Sequence, residues 1–556
     1  MRLALPLLLL LVPLTARGQL DRRIAPQELE RQEGGPLPFG RDRTEAPVEI
    51  DEGSVLMNPL ARIELVTSDG EFTGQDTGAE PAGDVLLRGL TVGRQDALAR
   101  TLRPWLGQPL TEGGLDRLTD RIIDHYEEND RPVVDVFVPD QDLSTGTLRI
   151  EVTEGRVGVV GLEKTRFFND ELLGGSVLLR RGSPLRGSEL QEEVDWLNRN
   201  PFRSASMFAA PGGELGEVDV LFSLEERCPW RFFLGYDNSG LESVGENRWF
   251  AGFNWGNGLG RDHLVSYQFT VGDSLSEFQA HSASWEIPLH RRHHFIRLEG
   301  TWADVGATST SEGVLVDSDG TTWVASAMYG VVLPRWRGFS QEFTVGADFK
   351  TTDNFLTYSG VSRSGSEVDL VQFRAEYRAT RQTESDLLRL SARLVASPGG
   401  LSGDNHDDNF DAFRHDASAN YLYGALKAMW LRRIADDWSL RLAAQGQITS
   451  DKLLPIEQLG FGGNASIRGY EELTYLADSG YHVSAELRTP SVPLPGKLLS
   501  QARLQFLGFL DHGIGWLDDG GNEAFTGAGA GLRAELGSRG QLRADLGWPL
   551  DGGDGT

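Results

Sequence analysis

From about residue 230 to the end, apolar and polar residues alternate one for one over long stretches. Leu388, Leu390, Ala392 and Leu394 stand on one side of such a stretch, and Arg389, Ser391 and Arg393 on the other. Trp438, Leu440, Leu442, Ala444 and Ile448 oppose Ser439, Arg441, Gln445 and Gln447 in the same way. Tyr481, Val483, Ala485 and Leu487 oppose His482, Ser484, Glu486 and Arg488, while Leu542, Ala544, Leu546 and Trp548 oppose Arg543 and Asp545. A period of two is that of a β-strand, and the Gly-, Asp-, Asn- and Ser-rich breaks between stretches read as loops. A soluble sandwich alternates too, burying one face and wetting the other. Three features select a membrane barrel instead. The stretches reach the length that a tilted membrane strand needs. The polar face carries many arginines, as a wet lumen would. Trp249, Phe253, Trp285, Trp323, Tyr329, Trp336, Tyr421, Tyr423 and Trp430 sit towards stretch ends, where an interfacial girdle is expected. Residues 229–556, at roughly 20 per strand and loop, hold about 16 strands, although only about 15 stretches can be picked out by eye.

Before residue 230 the pattern is mixed. Ala61–Val66 reads as a strand, followed by a Gly/Asp/Glu-rich insertion over 68–84. Leu115, Leu118, Ile122 and Tyr126 recur at helical spacing, and Val133–Val138 and Leu148–Val152 read as strands. The order then repeats. Arg156–Leu162 is a strand, Asp170–Leu179 a helix, Leu190, Val194 and Leu197 mark another helix, and Ser204–Ala209 and Val218–Leu224 are strands. Two successive β-α-α-β-β units, 60–154 and 155–228, account for this pattern. The fold class expected is therefore α+β domains followed by an all-β transmembrane barrel over 229–556.

The start of the chain changes the compartment. Leu3–Leu14 is an apolar run after Arg2, and Ala16 and Gly18 are small residues at signal-peptidase positions. Residues 1–18 thus read as a signal peptide, too short to span a bilayer as a helix. Residues 19–59 read as a short helix near Gln27–Glu33 and a linker. A formal net charge of −28 argues against general nucleic-acid binding. The lone Cys228 excludes a disulfide framework or a multi-cysteine zinc site and reads as a small residue at a junction.

Most candidate chemistry resolves into structure. Gly256, Gly258 and Gly260 have strand patterns on both sides, so they mark a hairpin turn and not a dinucleotide fingerprint. His290, His293 and His294 with Arg291 and Arg292 follow Pro288 and read as a turn. Asp404-Asn405-His406-Asp407-Asp408-Asn409 lacks the glycine and closing glutamate of a calcium hand and reads as an exposed acidic loop. No hydrolase, nucleotide or zinc-protease motif is found, so no enzyme, cofactor or metal site is expected. One pair is more informative. Phe509, Asp511 and Gly513 share a strand face, by alternation the lumenal one. The long segment 452–479 carries Ile467-Arg468-Gly469-Tyr470. A loop this long is usually functional or disordered. Folded inward, it could bring Arg468 to Asp511.

These residues carry a resemblance. Ile467-Arg468-Gly469-Tyr470 is similar to the Val-Arg-Gly-Tyr loop tip of the two-partner secretion transporters, the exporters of filamentous haemagglutinin and haemolysin-type exoproteins. Phe509-Leu510-Asp511-His512-Gly513 is similar to their Phe-x-Asp-x-Gly strand. Tyr236–Gly240 resembles their first barrel strand, Pro139–Asp142 and Glu154–Val157 their first POTRA domain and its junction, and Asn198–Pro201 the second. The resemblance implies two periplasmic POTRA domains, a 16-stranded outer-membrane barrel embedded in lipid, and a loop inside it with Arg468 paired to Asp511. It implies as partner a secreted exoprotein, bound through its unfolded N-terminal secretion domain and passed through the barrel without ATP. An insertase for barrel precursors, which usually has more POTRA units, is the alternative, and a passive porin is a weaker one that leaves the α/β units unexplained. The family's plugging N-terminal helix would be short here, the first POTRA domain carries the 68–84 insertion, and the expected last strand is missing after Asp551.

Overall fold

The computed structural model describes residues 27, 53–68 and 84–551, except 242–243, 312–313, 359–360, 436, 495–501 and 538–539. The signal peptide, nearly all of the 68–84 insertion and the 27–33 helix apart from Gln27 lie outside the described residues. The chain divides into two units, 31–227, and 1–30 with 228–556.

The first unit contains two α/β layers. In the earlier one, β1 (Val55–Met57), β2 (Arg62–Thr67), β3 (Val85–Arg88), α1 (Gln95–Leu102), β4 (Leu110–Thr111), α2 (Glu112–Glu128), β5 (Val134–Phe137) and β6 (Thr147–Glu154) follow in order. The main sheet runs β3-β2-β6-β5, and β1 pairs with β4, so the expected linker to residue 59 ends in a strand. Ile63, Leu65, Leu148 and Ile150 from the sheet meet Leu98, Leu102, Leu118, Ile122 and Tyr126 from the helices in one core. The side chain of Thr111 caps α2 by accepting from the Gly114 N–H at 3.0 Å.

In the later layer, β7 (Arg156–Leu162), α3 (Asp170–Gly174), α4 (Gly187–Leu197), β8 (Arg203–Pro211) and β9 (Glu217–Glu226) give a sheet in the order β7-β9-β8. Helix α3 stops at Gly174, short of the expected Leu179. Gly175 follows it, and glycine disfavours helix continuation. Residues of the motifs singled out in the sequence do structural work in both layers. Asn198 binds both backbone groups of Ala205, turning the end of α4 into β8. The Glu154 carboxylate accepts from the Thr91 and Val92 N–H groups and from the Tyr126 hydroxyl. Burial and the neighbouring Glu154 charge push the Tyr126 phenol well above its ordinary range.

The second unit is one antiparallel sheet of 16 strands. Fifteen form a continuous path from Trp230–Asp237 to Gln541–Pro549, each paired with the next, and the two-residue strand Val492–Pro493 pairs beside the path. Among the described residues the two ends of the path are not paired with each other. Leu390, Leu394, Leu422, Leu426, Leu510 and Leu546 are exposed on one face, while Gln268, Glu376, Glu486 and Asp511 are buried on the other. That is the inside-out pattern of a sheet whose outer face meets lipid. The sheet curls round a segment of its own. Glu457 accepts a bond from Lys350 of Phe339–Tyr358, and Leu241, just past the first strand, packs on Leu473 and Leu476. The structure is thus an α+β region with two successive sheets followed by a β-barrel, and no helix among the described residues is long and apolar enough to cross a membrane.

Two expectations are corrected inside the barrel. Tyr421 and Tyr423 are not girdle residues; both are buried on the lumenal face. The phase is set by Leu422, which takes the lipid side, and the Tyr423 hydroxyl bonds the buried Glu457 carboxylate at 2.6 Å. The 404–409 segment is not simply an exposed loop. Asn405 is buried, donating to the Asp369 carbonyl at 2.8 Å, and Asp407–Phe413 forms the short helix α5 with Phe410 fully buried. The hairpin turn falls at 259–262, so Gly260 lies in it while Gly256 and Gly258 belong to the end of strand Arg248–Gly258; the turn at His290–Arg292 lies where expected, and Cys228 is exposed just ahead of the first barrel strand. Gln27 lies against the lumenal wall, its main chain bonded to the side chains of Gln268 and Asn254.

Candidate functional site

The connection between strands Ser439–Thr449 and Ser479–Arg488 folds into the lumen as a hairpin. Leu459–Phe461 pairs with Tyr475–Ala477. Leu459, Phe461, Ile467 and Ala477 pack with Phe525 of the wall in one buried cluster, with Tyr470 and Tyr475 at its edge. The ring of Tyr470 stands edge-on to Phe525 at 5.2 Å, and its hydroxyl donates to the Thr526 carbonyl at 3.1 Å. Apolar burial of the tip thus offsets the entropy of ordering a long loop.

Arg468 lies at that tip and meets Asp511, 43 positions later. Its Nε donates to Asp511 Oδ2 at 2.7 Å and its Nη2 to Oδ1 at 2.8 Å, a bidentate grip, while its backbone N–H donates to Oδ2 at 3.1 Å. Nη1 reaches Glu486 at 2.9 Å, and Nη2 reaches Ser484 at 3.1 Å. The guanidinium carbon stands 3.5 Å from the Phe509 ring centre, an arrangement that adds cation–π attraction. Glu486 is held in turn by Arg488 at 2.6 Å and Arg441 at 3.5 Å. Asp545, 3.6 Å from Arg468, pairs with Arg533 at 2.6 Å.

Asp511 is fully buried and Arg468 only 8% exposed. An isolated, exposed pair would contribute only about 0–1 kcal/mol, but this one joins a buried network. Within this buried network, losing one partner leaves an uncompensated charge and costs about 3–5 kcal/mol.

Backbone geometry brings the tip this close. Gly469 has φ +106°, a conformation side-chain-bearing residues rarely adopt, and a Cβ there would lie 2.7 Å from the Trp548 carbonyl carbon. A Cβ on Gly527 would overlap the Arg468 carbonyl oxygen. Of the residues singled out in the sequence, Ile467, Arg468, Gly469, Tyr470, Phe509, Asp511 and Gly513 all gather at this one place; a Cβ on Gly513 would meet Ile467 Cδ1 at 2.9 Å. Glu486, Asp545, Arg533 and Gly527 were missed. Alternation put Glu486 and Asp545 on the polar face, but only the register, with Ser484 opposite Asp511 and Glu486 opposite Phe509, makes them neighbours.

Comparison with known proteins follows the same lines. Residues 216–534 match the family described as haemolysin secretion/activation protein ShlB/FhaC/HecB, and residues 82–155 match the POTRA domain, ShlB-type. The outer membrane transporter CdiB of Escherichia coli O6:K15:H31 is 24% identical over 405 residues, 71% of this chain and 66% of that one, so the chain spans about two thirds of that relative. The hemolysin transporter protein ShlB of Serratia marcescens is 27% identical over 427 residues, 73% of this chain and 72% of that one. The solved structure of CdiB from Escherichia coli shares the fold, with a TM-score of 0.72 at 21% identity, covering 93% of this chain and 90% of that one.

Proposed function

The chain belongs to the haemolysin secretion/activation protein family of two-partner secretion transporters, and we propose that it exports one dedicated exoprotein in unfolded form. Its barrel lies in the outer membrane and its POTRA region in the periplasm. The reading takes the layers 60–154 and 155–228 as two POTRA domains that recognise the exoprotein's N-terminal secretion domain, partly by pairing a strand with an exposed sheet edge. The exoprotein then passes through the barrel. The observation that carries the reading is the hairpin held inside the lumen by Arg468. The two α/β layers ahead of the barrel, which passive diffusion leaves unexplained, support the same reading. Arg468 and Asp511 position the hairpin, and Phe509, Gly513 and Tyr470 shape its seat.

The periplasm supplies no ATP, so the bias comes from the far side. Folding of the exported chain outside, at roughly 0.05–0.15 kcal/mol per residue, makes return unfavourable once a long repeat domain has formed. Residues 53–227, used as bait in periplasmic extract and read by mass spectrometry, test this. A single large exoprotein held through its N-terminal region is the expected catch. A spread of barrel precursors would reassign the chain to barrel assembly.

A further inference from the structure

We propose that Arg414 is a second positioning residue for transport, holding the outer end of the lumenal hairpin as Arg468 holds its tip. The inference deepens the transport reading and rests on it.

The chain enters the sheet at Trp230 from the periplasmic end, and successive strands are antiparallel. Its connections therefore alternate between the two ends of the barrel. The connections 399–419, 450–478 and 518–520 all fall at the external end. The first of these turns inward. Phe410 of α5 is fully buried among Val368, Leu370, Val395 and Tyr421 of the wall and Leu453 and Leu454 of the hairpin's first leg. Leu370 pairs with Lys350, whose ammonium reaches the hairpin at Glu457, so this apolar nest lies on the lumenal face.

Directly after α5, Arg414 reaches the base of the hairpin. Its Nη2 donates to Asp478 Oδ2 at 2.7 Å, and its Nη1 donates to the other oxygen of that carboxylate and to the Leu453 carbonyl at 2.6 Å. Asp478 is buried and also accepts, at 3.0 Å each, from the N–H groups of Leu453 and Asp518 and from the Gln458 amide. Lys452 bridges Asp519 at 2.8 Å and Asp416 at 3.3 Å. One node thus ties both legs of the hairpin, the 518–520 turn and the 399–419 connection. Three of the four donors to Asp478 come from the hairpin and that turn. Among the described residues, only Arg414 joins the 399–419 connection to this carboxylate. A polypeptide that displaces the hairpin has to release both ends, so the Arg414 end sets how readily the external mouth opens.

The test uses the full chain in outer membranes with three variants. Arg414→Gln keeps the size of the side chain and removes its charge. Arg414→Lys can reach one Asp478 oxygen but cannot reproduce the fork. Phe410→Ala unseats α5 with every charge in place. On intact cells, with a heat-modifiable folded barrel, proteinase K is expected to cut Arg414→Gln within 399–419 about tenfold faster than wild type, as cleavage follows the open population. Arg414→Lys falls between them. In planar bilayers Arg414→Gln opens to large conductance more often than wild type. Wild-type cleavage and conductance in folded Arg414→Gln would overturn the proposal. Should that variant not fold, wild-type cleavage and conductance in folded Arg414→Lys, which lacks the fork, overturn it equally. Where it does fold, opening by Phe410→Ala, which keeps the fork, as frequent as that of Arg414→Gln would also overturn it. These readouts need no exoprotein. Failure of the wild-type chain to secrete any partner would instead strike the transport reading.

Discussion

Arg468 stands over the ring of Phe509, its guanidinium carbon 3.5 Å from the ring centre, while its fork grips Asp511 two residues further along the same strand. The aromatic face and the carboxylate together fix both the direction and the height of the side chain. A loop tip of otherwise small and apolar residues is thereby given one orientation in the lumen.

Replacing Arg468 with alanine leaves the sheet hydrogen bonding intact but removes the charge that Asp511 needs, a loss of about 3–5 kcal/mol in hairpin docking. Arg468→Ala is expected to give a heat-modifiable barrel that secretes poorly, read as exoprotein in the medium against barrel in the membrane. Normal secretion would remove the residue's role.

Gly527 offers a steric version of the same test. A methyl group there would overlap the Arg468 carbonyl oxygen, whereas one on Gly300 meets nothing within 4 Å. Gly527→Ala is expected to reduce secretion while Gly300→Ala does not, at equal barrel levels. Equal secretion by both variants would mean that the tip does not need this seat.

Glu193 of α4 gives the α/β unit a pH dependence. Burial raises its carboxyl to about 8 from an ordinary 4.5; the neighbouring Glu192 and Glu189 charges also raise it, and the Leu178 N–H opposes the shift. The folded form therefore holds its proton when the unfolded chain has released it, and stability is lost as pH rises from about 4.5 to 8. Glu193→Gln is expected to stabilise residues 53–227 by about 2–4 kcal/mol at pH 8 and by little at pH 4. Urea melts at both pH values check this, and a pH-independent gain would contradict it.

Asn198 stands in for a strand neighbour, taking the Ala205 N–H at 2.6 Å and returning a bond to its carbonyl at 3.4 Å. Asn198→Ala leaves buried backbone groups unmet and is expected to cost the same unit about 1–3 kcal/mol. Hydrogen exchange at Ala205 should accelerate in step; unchanged protection there would show that the bonds are dispensable.

The periodicities were legible along the chain because they are local properties. Alternation separates lipid from lumen residue by residue, and helical spacing marked Leu118, Ile122 and Tyr126 as the buried side of α2. Local phase also carried Asp511 to the lumenal face. It failed where a loop reaches back. Tyr421 and Tyr423 look like interfacial aromatics by position, yet Phe410 and the hairpin cover them from inside. The 404–409 run looks like solvent-facing acid, yet its neighbours bury Asn405 and Phe410. The pairing of Arg468 with Asp511 could be framed from the motifs but not its surroundings. Glu486, Asp545 and Arg533 come from three strands whose relative height is set by register, and register follows from the whole run of pairings. The sequence determines which residues face the lumen; only the curled sheet decides which of them meet, because that depends on distances between segments far apart in the chain.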